Sequence, residues 1–505
     1  MTPRPAAIAL LAASLGFAAS AEAELKGDAA KASRARSFTI ELSLPEAEKE
    51  LEKANAGDQL LQVERAWLDV YSGRCSEASE ILSRPELSES EDSKRLGEIA
   101  RGCAQTMAGA VVREDVASGA WIRFQDDADV VLAPYLFKVV ASTREVFQKD
   151  LGVTMPTPMR VELVRDQIGL AAMTGLPLEA ARTTGTIGIA KWGRVIMVSP
   201  RATDHGYAFL DTLAHELTHL ALTRASKDRA PLWLQEGVAR SEETRWRTPL
   251  PFDEAPGADE VAAYGQKRGM GPEIDKIGPS IALLPSAEEA QVTYAKVQSF
   301  MKFYAAKAGE EALPKLLAGL ATASNPEDID GTIKSLTGST FGEWSARWKS
   351  EVLASAKELP ADERPGRPPP KDLKKAQKRY RLGELLLDRS HAAAAERELE
   401  QAHASLPKGG SIRALYARAQ VKTDKRDKAK RLVENASDVS TGDAGWWSMR
   451  ALLAVGEVEA AIENAIAIAP YDPNVACEEK APPALPSDAA RRALCEAARA
   501  KPRDP

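Results

Sequence analysis

The chain has 505 residues, of which 44% are hydrophobic and 28% are charged, with 33 glycines and 31 prolines. These are values of ordinary globular proteins, so collagen-like, low-complexity and polytopic membrane proteins are excluded, and roughly 150 residues per domain predicts about three domains. A formal net charge of -6 is too mild and too acidic for a dedicated nucleic-acid binder, so no nucleic-acid partner is expected.

Residues 1–23 have the pattern of a secretory signal peptide. One positive charge precedes a mostly apolar run from Ala6 to Ala19, and Ala21 and Ala23 supply the small residues of a cleavage site. About 14 apolar residues are too few for a transmembrane helix, which needs about 20. We expect export to the periplasm or outside a bacterium, with no membrane span in the mature chain. An uncleaved anchor is the alternative.

The segment after the signal peptide predicts a flexible leader and then helices. Residues 24–43 are rich in alanine and basic residues without periodicity, which indicates the leader. Residues 44–112 have a helical pattern, and Ala66, Gly73 and Ala78 have the spacing of a tetratricopeptide hairpin. Small residues at these points let two paired helices cross closely.

Four cysteines lie in two pairs at opposite ends of the chain. Cys75 and Cys103 form one pair, Cys477 and Cys495 the other, and none is part of a Cys-x-x-Cys motif. In an oxidising compartment two local disulfides are expected. Four buried free thiols are the alternative.

Residues 113–357 have mixed patterning, which predicts an α+β domain. A helix is expected over residues 132–149, and helices dominate from residue 209, apart from an irregular Pro- and Gly-containing insertion at 248–286. The predicted strands cover residues 121–125, 160–164, 184–191 and 194–199, and the last two form a hairpin.

The remainder predicts a proline-rich linker and all-α repeats. Residues 358–372 have the proline density of a semi-rigid spacer, and residues 373–505 resemble tetratricopeptide repeats. Gly383, Ala395, Ala402 and Pro407 recur 34 residues later as Ala417, Ala429, Ala436 and Thr441, and Gly456, Ala461 and Pro470 mark a shorter third unit. This is the tetratricopeptide period, which indicates a binding surface for a protein partner. A generic Ala-rich helical bundle is the alternative.

Histidine is scarce, and two of the five histidines occur in one motif. His205, His391 and His403 are scattered, whereas His215-Glu216-x-x-His219 lies in a helical stretch. Four residues make just over one helical turn, so both imidazoles project from one face and can share a zinc ion, with the glutamate beside it as general base. The apolar side chains of this helix fall on the opposite side, as a cleft-lining pair requires. Solvent-exposed histidines are the alternative.

Catalytic zinc needs a third protein ligand and one open position. Glu236 lies 17 residues after His219, in a second helical start that follows Pro231. That separation leaves room for a turn and a returning helix.

Together these motifs resemble the gluzincin metallopeptidases, specifically their bacterial peptidase-MA-like branch. The resemblance rests on the His-Glu-x-x-His motif and on Trp-Leu-x-Glu-Gly at residues 233–237, and it covers residues 113–357. It implies a zincin-like fold in which a small twisted sheet lies over the active-site helix. It further implies His215, His219 and Glu236 as zinc ligands and Glu216 as general base. Peptide substrates would pair with one strand of the 184–199 hairpin.

Two positions depart from the family pattern. Thermolysin-type members place a histidine-orienting carboxylate four residues after the third ligand, where this chain has Arg240. Asp211 or Glu242 could substitute, although solvated helix charges are the expected reading of both. Tyr294 is the first candidate for stabilising the oxyanion, with His205 second, and a Tyr packed in an amphipathic helix is the alternative for Tyr294.

The sequence therefore predicts an exported zinc-dependent peptidase that hydrolyses peptide bonds with a metal-activated water and Glu216 as base. The alternative is an envelope scaffold that binds proteins through its repeats and carries a structural or vestigial metal site. Intact Glu216 favours the enzyme, because a structural site has no use for a base beside the metal.

Overall fold

The computed structural model describes most of the chain. Its described residues are 27–52, 57–87, 89–203, 207–248, 256–309, 311–323, 325, 328–360, 363–366, 372–434, 442–457, 460–461 and 464. The predicted signal peptide, His205, Ala436, Thr441, Pro470, Cys477 and Cys495 lie outside them. Within the described ranges, no helix combines the length and apolar character needed to cross a membrane.

The first part of the described chain is helical from its beginning. Its helices are α1 Asp28–Ile40, α2 Leu44–Glu52, α3 Gln59–Tyr71, α4 Cys75–Leu82 and α5 Glu91–Thr106. The prediction of a flexible leader over 24–43 is therefore wrong where α1 forms. Ala32, Ala35 and Thr39 make a buried stripe at helical spacing, and α1 packs on α2 and α3. The stripe has only small side chains, so its periodicity is weak in the sequence.

The predicted helical hairpin is present in α3 and α4. Ala66 and Ala78 are fully buried, and Gly73 makes the intervening turn with φ 77°. The disulfide Cys75–Cys103 joins α4 to α5. The other predicted disulfide lies outside the described residues.

A five-stranded mixed sheet follows. Its strands are β1 Val111–Asp115, β2 Ala120–Phe124, β3 Met159–Val164, β4 Gly188–Lys191 and β5 Arg194–Val198. Their order is β1-β2-β3-β5-β4; the two outer pairs are antiparallel and the inner pairs parallel. Sequence patterning missed β1, which is mostly exposed and charged, so the predicted boundary at 113 falls inside a strand. The hairpin strand predicted from 184 begins at Gly188, because Thr184 ends a helix and the chain turns at Gly185 before the strand.

Helices cover both faces of the sheet. They are α6 Ala133–Val146, α7 Gln167–Thr174, α8 Leu178–Thr184 and α9 Phe209–Ser226. Leu213, Leu217 and Leu220 of α9 join α6 and the strands in the largest hydrophobic core. On the other face, α7 packs against β3, β4, β5 and α5. The central strands are buried on both sides, which makes the sheet a rigid support for α9.

The N-terminal helices hold the tip of the β4–β5 hairpin. Its two turn residues, Trp192 and Gly193, have φ values of 51° and 70°, as in a tight primed turn. Trp192 is buried among side chains of α3, α4 and α5. A Cβ at Gly193 would lie 2.9 Å from the Tyr71 ring, so this contact requires glycine. The strand next to α9 is thereby fixed at one end.

A second lobe of helices follows α9. Its members are α10 Leu232–Glu242, α11 Ala258–Arg268, α12 Ala287–Ala308, α13 Ala312–Thr322, α14 Ile329–Thr337 and α15 Phe341–Ser355. The prediction of an irregular insertion over 248–286 is wrong where α11 forms. That helix has acidic residues in its first turn and basic residues in its last turn. These charges interact favourably with the helix dipole and stabilise the helix.

The proline-rich linker begins by packing on this lobe. Leu359 is buried with Val261 and Val292, and Tyr264 donates a hydrogen bond to the Pro365 carbonyl over 3.5 Å. The predicted semi-rigid spacer is therefore docked in its first part.

The C-terminal region consists of paired helices. They are α16 Leu373–Asp388, α17 Ala392–Ser405, α18 Gly410–Lys422, α19 Arg426–Leu432 and α20 Gly442–Val455. Ala395, Ala417 and Ala429 are fully buried, and a Cβ at Gly383 would lie 2.5 Å from Leu399. These small residues stand where the 34-residue period requires close helix crossings, which confirms the prediction of helical repeats.

Candidate metal centre

Helices α9 and α10 bring the three predicted metal ligands together. His215 and His219 project from one side of α9, and Glu236 from the second turn of α10. Oε2 of Glu236 lies 3.4 Å from Nε2 of His215 and 3.7 Å from Nε2 of His219. All three candidate ligand atoms lie within 4.8 Å of one another. Among the described residues, this is the group of histidine and carboxylate side chains whose ligand atoms are close enough together to hold a metal ion.

The spacing of these atoms fits zinc. Tetrahedral bonds of about 2.0–2.1 Å place two ligand atoms about 3.3 Å apart. Oε2 of Glu236 is buried and meets no hydrogen-bond donor in bonding geometry. A buried carboxylate oxygen without a donor is costly, and a cation would satisfy it. Three ligands also leave the fourth zinc position open, as in catalytic sites.

Two further side chains orient the imidazole rings. Nδ1 of His215 lies 3.1 Å from Oε2 of Glu243, and Nδ1 of His219 lies 3.1 Å from Oε1 of Gln235. With the proton on Nδ1 donated to these oxygens, each Nε2 lone pair faces the metal position. Sequence reasoning missed both residues.

Neither Asp211 nor Glu242 takes the position of the orienting carboxylate, for which the sequence offered both. Asp211 forms an ion pair with Arg247 at 2.8 Å, and Glu242 is buried beside Asp150. Neither side chain is the solvated charge that was expected. Glu243 takes the orienting position because seven residues after Glu236 is nearly two full helical turns, which returns to the same face. This spacing was the signal available in the sequence.

Arg240, which stands where thermolysin-type peptidases have a carboxylate, contacts the Glu243 carboxylate. Its Nη1 lies 2.6 Å from Oε1 and 2.8 Å from Oε2 of Glu243. Its guanidinium carbon is also 6.0 Å from the centre of the Tyr294 ring. Arg240 therefore neutralises and fixes Glu243 behind His215.

Glu216 lies beside the candidate metal ligands, under the edge strand β4. Its carboxylate is buried, and the backbone N–H of Ala190 in β4 lies close enough to act on its pKa. A Cβ on Gly188 would lie only 3.0 Å from Oε1 of Glu216, so the strand passes directly over this side chain. Burial raises the pKa of Glu216, while the two histidines and the Ala190 amide act in the opposite direction.

Burial and charge act against each other throughout the cluster. Burial would lower the pKa of His215, but the neighbouring Glu236, Glu243 and Glu216 raise it overall. Burial would raise the pKa of Glu236, but His219, His215 and Arg240 lower it overall. Three acidic side chains around two histidines make a site that favours a cation.

Tyr294 stands across from the ligands on α12. Its ring centre is 6.3 Å from that of His215. Burial, followed by the charges of Glu236 and Glu216, raises the pKa of Tyr294 well above its usual value. The phenol therefore keeps its proton and can donate a hydrogen bond. His205, the second candidate for this role, lies outside the described residues.

Comparison with known proteins recognises the repeats. Residues 386–453 match the tetratricopeptide repeat family. This match agrees with the helical pairs α16–α20 and supports a protein-interaction scaffold role for this part of the chain. A search of curated proteins finds no match to the chain.

Proposed function

We propose that this protein is a zinc-dependent peptidase of the gluzincin type, with His215, His219 and Glu236 as zinc ligands. The single observation that carries the proposal is the buried Oε2 of Glu236, which faces both Nε2 atoms at 3.4 and 3.7 Å without a hydrogen-bond donor in bonding geometry. The buried carboxyl of Glu216 beside these ligands supports a catalytic rather than a structural metal.

The side chains have distinct roles in the proposed reaction. Bound zinc would supply a Lewis acid that polarises the scissile carbonyl and makes water acidic. Glu216 takes the proton of the attacking water and delivers it to the leaving nitrogen. Tyr294 donates its hydroxyl proton in a hydrogen bond to the oxyanion. Glu243 and Gln235 hold the histidine rings, and β4 binds the substrate backbone as an added strand.

The sharpest test compares the Glu216→Gln variant with the wild type on a diverse peptide library, with and without a zinc chelator. Glutamine keeps the shape of the side chain but cannot take a proton. We expect the variant to bind one zinc ion and to lose cleavage. Full activity in this variant, or activity of the wild type that survives complete zinc removal, would reject the mechanism.

The ligand assignment has its own test. His215→Ala should lose stoichiometric zinc, measured by elemental analysis of the purified protein. His403→Ala is the matched control, because His403 lies on α17 among the repeats and pairs its ring with Tyr416. Zinc retained at full stoichiometry by His215→Ala would refute the assignment.

A second function is favoured by the repeat match at residues 386–453. In this reading the chain is an envelope scaffold, and the repeats bind a protein partner while the metal site is structural or vestigial. Affinity capture with the full chain, compared with the Glu216→Gln variant, separates the two readings. A scaffold keeps its partners and its cellular role in both forms, whereas a peptidase loses its role in the variant.

We also propose export to the periplasm or the extracellular space. The Cys75–Cys103 disulfide supports this proposal, because disulfides persist in oxidising compartments. The amino-terminal sequence of the mature protein would test it, with Glu24 expected as the first residue.

A further inference from the structure

The edge strand β4 offers only a short row of backbone groups to a substrate. Val198 donates its N–H to the Ile187 carbonyl at 2.8 Å, and a two-residue turn closes the hairpin. Together they determine which residues of β4 direct their backbone groups toward β5. The groups of Gly188 and Ala190 consequently point away from β5. A Cβ on Gly188 would lie 3.0 Å from Oε1 of Glu216, so this part of the edge passes over that carboxylate. A peptide added to this edge therefore pairs directly above the candidate catalytic carboxylate.

Just before Gly188 the edge ends. The N–H of Thr186 donates to the Ala181 carbonyl at 2.9 Å, inside the turn that follows α8. The carbonyl of Thr186 accepts a hydrogen bond from Nε2 of Gln167 at 3.2 Å. Both backbone groups are thus occupied, so strand pairing cannot continue in this direction.

The candidate substrate cleft is the region between β4 and α12 where the candidate ligands lie, and this same end of it is closed by packing between these two sides. Helix α8, which leads into β4, packs against the 3-10 turn Ile281–Leu283, and Thr184 Oγ1 lies 3.3 Å from the Ala282 carbonyl oxygen. Helix α12, which carries Tyr294 on the opposite side of the metal ligands, contacts both this turn and α8. The strand side and the helical side of the cleft therefore meet beyond Gly188.

The distance to this closed end is short. Gly188 lies at the level of Glu216, and the occupied groups of Thr186 are two residues away. At about 3.3 Å per residue of extended chain, about 7 Å separates the general base from the end of the edge. That length holds about two residues of a substrate strand.

We propose that the enzyme is an exopeptidase whose cleft accepts a chain terminus and which releases fragments of about two or three residues. This inference rests on the proposed peptidase function and adds its substrate class, which is flexible peptides with a free end. A loop within a folded protein cannot enter, because its chain would have to continue through the contact between α8 and the Ile281–Leu283 turn. The closed end selects a terminal segment by its length and not by its charge, since Thr184, Thr186 and Ala282 have uncharged side chains.

The test uses zinc-loaded, full-length protein and one peptide library of about twelve residues in two forms, linear and head-to-tail cyclised. Mass spectrometry of the earliest products identifies the cleaved bonds, and Glu216→Gln is the control for contaminating peptidases. We expect the linear library to lose two- or three-residue fragments from one terminus and the cyclic library to be cut about 100-fold more slowly.

Two results would overturn the inference while leaving the peptidase function intact: opening of cyclic peptides at the rate of linear ones, or first cuts in the middle of linear peptides. Absence of cleavage in both libraries would instead reject the proposed peptidase function, and the exopeptidase inference with it.

Discussion

Oε2 of Glu243 lies 3.1 Å from Nδ1 of His215, and Arg240 holds the same carboxylate from the other side. With Nδ1 of His215 held by this carboxylate, Nε2 faces the candidate metal position. It lies seven residues after the candidate ligand Glu236, and Arg240 occupies the position where the thermolysin-type peptidases that the sequence resembles place an acidic residue.

Replacing Glu243 with glutamine should weaken zinc binding about 10- to 100-fold, because the orienting charge behind His215 is lost and Arg240 loses its counter-ion. Competition with a chromophoric chelator measures the affinity. Glu242→Gln is the matched control, since the Glu242 carboxyl faces Asp150. Equal zinc affinities in the two variants would argue against an orienting role for Glu243.

Replacing Gly188 with alanine should lower kcat/KM about tenfold while zinc content stays unchanged. The added Cβ would lie 3.0 Å from Oε1 and 3.1 Å from Cγ of Glu216, so strand or carboxylate must shift at the site of proton transfer. Gly278→Ala is the control, because no atom lies within 4 Å of a Cβ at that position. Unchanged peptide cleavage by Gly188→Ala would show that β4 does not set the position of Glu216.

Removing the Cys75–Cys103 disulfide by a double alanine substitution should lower the free energy of unfolding by about 3–4 kcal/mol in the chain-entropy model. The estimate follows from the sequence separation of 28 residues. Nη1 of Arg194 lies 3.3 Å from both sulfurs, so the hairpin that carries β4 should loosen as well. Urea unfolding measures the first effect and hydrogen exchange of β4 and β5 the second. Wild-type protein in a reductant should behave like the variant. If hydrogen exchange of the β4–β5 hairpin is the same with and without the disulfide, the disulfide does not stabilise the hairpin.

Glu242 should make stability decrease as the pH rises. Burial, followed by the charge of Asp150, raises its pKa from 4.5 to about 7, so the native state holds a proton that the unfolded state has released. Its stabilising contribution is complete below pH 4.5 and is lost as the pH rises through about 7. The Glu242→Gln side chain stays neutral at every pH. Above pH 7 the free energy of unfolding of this variant should therefore exceed that of the wild type by on the order of 3 kcal/mol, and near pH 4 the two should be equal.

Urea unfolding across this pH range measures the difference. Glu77→Gln, an exposed carboxyl on α4, should leave the profile unchanged. Parallel profiles for wild type and Glu242→Gln would contradict the raised pKa.

Elements with strong local signals were predicted well. The hairpin around Trp192 and Gly193, the strand that ends at Val164 and the repeats with their 34-residue period all follow from side-chain pattern and turn residues. The prediction failed at α1, which is held by a stripe of alanines, and at β1, whose exposed charged residues pair with β2. In both, tertiary packing outweighs a weak local signal.

By itself, the sequence determined that His215, Glu216 and His219 share one stretch of helix, because four residues make about one turn whatever surrounds them. Only the tertiary structure decided what surrounds this motif. Glu243 lies 28 residues from His215 along the chain, and the contact between Thr184 and Ala282, which joins α8 to the Ile281–Leu283 turn, spans 98 residues. No periodicity fixes such separations; they are set by how the sheet, α9 and the second lobe pack together.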